Sequence, residues 1–210
     1  FSPQFSLASV SIWPFILSGL FAPTLAMEFH FRGIAHIGLA RASALLGTTP
    51  LFAVLLAIIF LGERPPVIMA TGGVSIVIGV IILNYTKDSG KKSPWWAFLL
   101  PMAAGMCGAL RDIFTRIGLQ SVPLPLAGAA VTATTSVFMM FIVLLFTRSW
   151  GGIRLPRRSF SLYLVSGVFV VIAYACTFFA FQTGIVSMVS PLANINPLFT
   201  MILSYLFLQS

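Results

Sequence analysis

The sequence predicts an all-α membrane protein, a polytopic helical bundle, on three observations. Of its 210 residues, 59% are hydrophobic and only 8% are charged, against about 25% charged in soluble domains, so the solvent of this chain is mostly lipid. Seven apolar runs punctuate it, each read as a membrane-spanning helix because about 20 apolar residues at about 1.5 Å rise cross a hydrocarbon core. The chain also nearly repeats itself. "PLFAVLLAIIFLGE" at 50–63 and "PLFTMILSYLFLQS" at 197–210 agree at Pro50 and Pro197, Leu51 and Leu198, Phe52 and Phe199, Leu56 and Leu203, Phe60 and Phe207, and Leu61 and Leu208. Self-similarity at one offset marks a duplicated architecture.

The first run, 10–27, ends at a polar cluster, Glu28, His30 and Arg32, and the second, 42–61, carries Pro50 near its middle. A Leu-Gly-Glu-Arg turn at 61–64 leads to the third, 67–83, whose Gly72, Gly73 and Gly79 offer a small-residue strip for packing within the bundle or for a homodimer face. The polar connection 86–94, "TKDSGKKSP", divides the chain into comparable halves. The fourth run, 95–110, is short but can continue as helix to about Leu119, past Arg111, Asp112 and Arg116. The fifth is 124–147, followed by the second polar connection, 148–159; the sixth is 160–181 and the seventh 185–208.

Pro50 and Pro197 are separated by 197 − 50 = 147 residues, and the register holds upstream without a gap: Phe31 falls on Phe178, Ser43 on Ser190, Leu45 on Leu192. The helices at 10–27 and 42–61 are therefore the counterparts of those at 160–181 and 185–208. Each half then lacks elements that the other shows, and completing both gives five helices plus five, of which seven are present. An odd number of helices per repeat turns the second copy upside down in the membrane, and inverted repeats are a hallmark of secondary transporters. On this reading residues 1–85 are the last three helices of a first repeat, 86–94 the inter-repeat loop, and 95–210 the first four helices of a second. The start, "FSPQFSLASV", has none of the parts of a signal peptide, and the end follows an apolar run directly, so a fragment cut on both sides is expected.

The stretch "RASALLGTTPLFAVLLAIIFLGERPPVIMATGGVSIVIGVIIL" (41–83) resembles the end of an EamA domain of the drug/metabolite transporter superfamily, with its Pro, apolar helix, Leu-Gly-Glu-Arg turn and glycine-containing last helix. "PMAAGMCGALRDIFTRIGL" (101–119) resembles the first helix of a second such domain. The likeness covers nearly the whole chain. It departs at the end, where the second copy reads "FLQS" and the first "FLGE". The resemblance implies ten helices in two inverted five-helix repeats and the export or exchange of a small metabolite, such as an amino acid or a drug-like compound, across the plasma or inner membrane.

A proline lacks the amide that would hold the carbonyl four residues back, so Pro50 and Pro197 loosen the carbonyls of Leu46 and Ala193. Lipid offers those groups no partner, and matching interruptions in two halves point to a transporter's midplane site. Thr48, Thr49, Asn194 and Asn196 flank them and are candidate substrate contacts. The alternative is a packing kink whose polar side chains bond neighbouring helices. Glu28 and Arg32 stand i, i+4 on one helix face, as do Asp112 and Arg116, with Arg111 beside them. Charges inside a bilayer call for pairing or a wet cavity, so Glu28 and Arg32 are read either as substrate contacts or as a structural pair at the rim, and Asp112 with Arg116 as a charge pair. Tyr174 is the remaining candidate contact, with packing as its alternative. Glu63 and Arg64 are read as a gate or as a cap anchoring the helix 67–83.

Other classes find little support. The net charge of +8 is scattered over short connections rather than gathered on one face, which argues against nucleic acid. Cys107 and Cys176 both fall inside helices, without metal-ligand or disulfide spacing. No P-loop, nucleophile elbow or His-Glu-x-x-His occurs, so neither a cofactor nor ATP coupling is expected, and a proton or substrate gradient is the expected energy source. A seven-helix receptor or a non-transporting membrane protein is the alternative, weakened by the duplication. Nine connecting Lys and Arg residues fall on one face and two, Arg64 and Arg116, on the other. The positive-inside rule places the first group in the cytoplasm, whereas the usual family topology places it outside.

Overall fold

The computed structural model describes residues 11–65, 94–147 and 157–194, together with Gly72 and Ser75. All regular structure among them is helical. Among the described residues, four stretches are long and apolar enough to cross a membrane: Arg41–Leu61, Trp95–Ser121, Pro125–Phe146 and Tyr163–Thr183. The runs 67–83 and 185–208 lie wholly or largely outside the described residues.

The run 10–27 is not one continuous helix. Helix α1 (Trp13–Gly19) takes Pro14 into its first turn, where no amide is missed. A wider, π-type stretch, Leu20–Leu25, follows, and within it Ala22 is extended (φ −148°, ψ 142°) ahead of Pro23. A residue before proline is driven out of the helical region by its ring. Pro23 also leaves the Gly19 carbonyl without its amide, and the Ser136 hydroxyl stands 2.9 Å from that oxygen. The chain then resumes as α2 (Ala26–Ile37), which extends well past the end of the apolar run and carries Glu28, His30 and Arg32 inside a helix.

Gly38, with φ +85°, is the sole joint between α2 and α3 (Leu39–Leu46). A turn at Gly47 and Thr48 separates α3 from α4 (Thr49–Leu61). Pro50 therefore opens a new helix instead of kinking a continuous one. The Leu46 carbonyl, which it cannot hold, accepts from Thr49 Oγ1 at 2.6 Å, and Leu45 accepts from Thr48 Oγ1 at 2.7 Å. Helix α4 ends at Gly62 in the left-handed region (φ +63°), and the Glu63 amide reaches back to the Ala57 carbonyl at 3.2 Å.

After a short 3₁₀ turn at Trp95–Phe98 come α5 (Leu99–Ser121), α6 (Pro125–Thr147), α7 (Arg157–Thr183) and α8 (Val186–Ala193). Helix α5 lies at the centre, packed against α1, α2, α3, α4, α7 and α8. Between membrane helices association rests on close contact rather than on expulsion of water, so small residues mark the crossings. At Gly118 of α5 and Gly128 of α6, an added Cβ would stand 2.7 and 2.5 Å from the ring of Phe15. That ring joins Ile113, Phe178, Phe181 and Val186 in the main core. The faces of α6 and α7 turned away from it are bare hydrocarbon, including Val137, Phe138, Phe169 and Val171, as lipid contact requires.

The two short helices α3 and α8 have identical bounds under the sequence offset, since 39 + 147 = 186 and 46 + 147 = 193. Each ends in a turn, at Gly47 and at Asn194.

Candidate functional site

One turn inside α8, its Ser190 hydroxyl donates to Oδ2 of Asp112 on α5 at 2.6 Å, and both residues are fully buried. The other carboxylate oxygen accepts from Arg111, from Nε at 3.0 Å and from Nη2 at 2.6 Å. Nη1 of the same guanidinium lies 3.3 Å from the Tyr174 hydroxyl on α7, with its carbon 5.5 Å from the centre of that ring. Asn194 closes the set, donating from Nδ2 to the Ser190 carbonyl at 2.8 Å. Three helices thus converge on one buried ion pair beside the point where α8 gives way to a turn.

The cost of holding this cluster follows from its surroundings. An isolated charge inside a bilayer is expensive, and a pair with its remaining hydrogen bonds met is far less so. Asp112, with no exposed surface, has three donors, whereas Arg111 keeps part of its side chain accessible.

Several expected relationships differ. Asp112 pairs with its neighbour Arg111 and not with Arg116. Arg116 instead donates through Nη1 to the carbonyls of Phe181 and Gln182 at the end of α7. Those terminal carbonyls carry the negative end of the helix dipole, which draws a cation away from a carboxylate already satisfied. Glu28 and Arg32 do pair, at 2.6 Å, with side chains 40% and 62% exposed, and neither has a contact with the buried cluster among those described. His30 in the same helix has a buried Nδ1 with no hydrogen-bond partner among the described residues. Thr48 and Thr49 are buried with their hydroxyls committed to α3 carbonyls, and Thr49 packs on Gly105 and Gly108 of α5. Asn194 and Tyr174 belong to the cluster. Asn196 and Pro197 lie outside the described residues.

Glu63 has a partner that its sequence position does not suggest. Its Oε1 accepts from the Val186 amide at 2.8 Å, and its Oε2 accepts from the Ser187 amide at 3.0 Å and from the Ser187 hydroxyl. It caps the start of α8, more than a hundred residues on, while the run 67–83 that it is expected to anchor lies largely outside the described residues. Ser187 and Ser190 are also new to the site. Their i, i+3 spacing, which places both on one helix face, is the signal that could have singled them out.

A concavity of about 580 Å³ runs along the outer face of α7 between Phe160 and Ile172. Its walls are almost wholly hydrocarbon, so it lacks the polar groups that orient a solute. No group of three or more His, Cys, Asp or Glu suited to a metal occurs among the described residues.

The chain matches the EamA-like transporter family over residues 2–85 and 95–210, two stretches that fall either side of the connection at 86–94. Comparison with curated proteins and with solved structures finds no match to either.

Proposed function

Because the chain belongs to the EamA-like transporter family, an integral membrane family of the drug/metabolite transporter type, we propose that it is a secondary transporter, an exporter or exchanger of a small metabolite such as an amino acid or drug-like compound. It works by alternating access, with its site near the midplane between two inverted repeats, in the plasma or inner membrane. The observation that carries this reading is the buried Arg111–Asp112–Ser190 network at the end of α8. An ion pair at such depth is costly to keep and has no packing role that an apolar pair would not fill more simply. A broken helix beside it supplies backbone groups for a polar solute.

Transport draws on a proton gradient or on substrate exchange in this proposal. The partly accessible edge of Arg111 and Tyr174 receive the solute, and Asn194 with the α8 terminus supplies neutral hydrogen bonds. The full-length protein in vesicles, screened for flux of amino acids, nucleosides, sugar phosphates and cationic drugs, tests it. Saturable flux of one class, abolished by Asp112→Asn, is the expected result. Flux of one class that survives that substitution unchanged removes the cluster from the pathway, and absence of flux across all four classes counts against the transport reading.

A further inference from the structure

Helix α8 is only eight residues long, and one of its faces is strapped at two depths by two acids. At its first turn Ser187 and the Val186 amide are held by Glu63, which belongs to the 1–85 half of the chain. One turn deeper Ser190 is held by Asp112, which belongs to the 95–210 half. The joint before α8 is short and tight. Gly184 and Ile185 alone separate it from α7, and a Cβ on Gly184 would stand 2.7 Å from Val189 Cγ2. On the other side of that joint Arg116 grips the last carbonyls of α7. A cation at the C-terminus of α7 and an anion at the N-terminus of α8 each complement the local helix dipole, so two charges flank a two-residue hinge.

We propose that Glu63 is a releasable latch on α8, and that its detachment lets α8 lean away about the Ser190–Asp112 contact and the Gly184 joint, opening the buried cluster toward the membrane face that carries Glu63. The reason the outer strap yields first lies in the surroundings of the two acids. Glu63 is half-buried on a turn beside exposed Gly62 and Arg64, where water can replace its donors. Asp112 is sealed, so releasing Ser190 from it would leave a carboxylate oxygen unmet in the interior. Arg116, which holds α7 and not α8, fixes the frame against which the helix moves. In this structure the latch is engaged. The geometry of the latch stands on its own contacts, while its role as a gate rests on the transport reading above.

The test places nitroxide labels at Arg64→Cys and Met188→Cys, both exposed positions, in the full-length protein with Cys107 and Cys176 replaced by Ala and Ser, reconstituted in vesicles. Pulsed dipolar spectroscopy on that background is expected to show one dominant short distance. Glu63→Ala, which removes both acceptors, is expected to add a second, longer-distance population at the expense of the first. Glu63→Gln, which keeps one acceptor and is the safer variant for folding, is expected to give a smaller shift in the same direction. A Glu63→Gln or Glu63→Ala distribution superimposable on the parent overturns the latch, even where thermal stability falls, because a merely structural cap would lower stability without moving α8. Should the distances shift as expected while the wild-type protein carries no flux, the latch holds and the transport reading fails.

Discussion

The Ser190 hydroxyl sits 2.6 Å from the Asp112 carboxylate across 78 residues of sequence, and both groups are excluded from solvent. Once Arg111 has taken the other oxygen, this contact is what completes the acid's hydrogen bonding. The energetics of the buried cluster hinge on it.

Asp112→Asn keeps the shape and removes the charge, leaving the Arg111 guanidinium buried beside a neutral amide. Breaking a buried pair by removing one partner costs about 3–5 kcal/mol, so a marked drop in melting temperature in detergent is expected together with loss of flux. Arg111→Met combined with Asp112→Leu is expected to recover most of the stability, since no charge remains to be solvated, but none of the flux. Recovery of both would mean that the pair serves only the fold.

Ser190→Ala removes a donor to a buried carboxylate and is expected to destabilise by about 1.5–3 kcal/mol. Tyr174→Phe removes only the 3.3 Å contact with Arg111 and keeps the ring beneath the guanidinium, so it is expected to cost about 1 kcal/mol or less. If Tyr174 touches the solute, its half-saturation concentration rises with maximal flux little changed. Chemical denaturation and flux measured on the same two variants separate the effects.

Thr49→Val is close to isosteric but strips the hydroxyl from the Leu46 carbonyl, for an expected cost of about 1–3 kcal/mol. Because that hydroxyl is already committed within the helix break, flux per folded molecule is expected to stay near the wild-type value. A selective loss of transport with stability intact would restore Thr49 to the binding site.

Gly128→Ala places a methyl 2.5 Å from the Phe15 ring. Overpacking of this kind costs about 1–3 kcal/mol, and Phe15→Leu in the same chain is expected to return part of it. Thermal unfolding of the two single variants and the double variant measures the coupling.

The helical character, an interruption at Pro50 and the turn at Gly62 were legible because hydrophobic runs, prolines and glycines act locally, and the 147-residue offset aligns α3 with α8 to the residue. The joint at Gly38 was not singled out, and Pro50 opens a helix where a kink within one span was expected. Pro23 showed no such clarity, because it lies inside an apolar run whose letters give no sign of the extended Ala22. At the site, Tyr174 and Asn194 could be singled out as polar groups in apolar helices. Their partners could not, since the i, i+4 rule that pairs Glu28 with Arg32 on an open helix face fails where tertiary neighbours compete. Asp112 found Ser190, and Arg116 found the end of α7, because the inward face of α5 offers each a stronger partner than its own helix does. Glu63 is the extreme case. Two of its three donors are backbone amides, which are present at every residue and leave no trace in the letters; only the Ser187 hydroxyl does.

The Phe15 ring, seated against Gly118 and Gly128, also bears on how such sequences can drift. Three positions far apart in the chain share one fixed volume, so no one of them can change size alone without strain. Among homologues their side-chain volumes should vary together, with alanine or serine tolerated at 118 and 128 mainly where position 15 has lost its ring. What descent preserves at this crossing is a sum of volumes, and the individual letters are free to change within it.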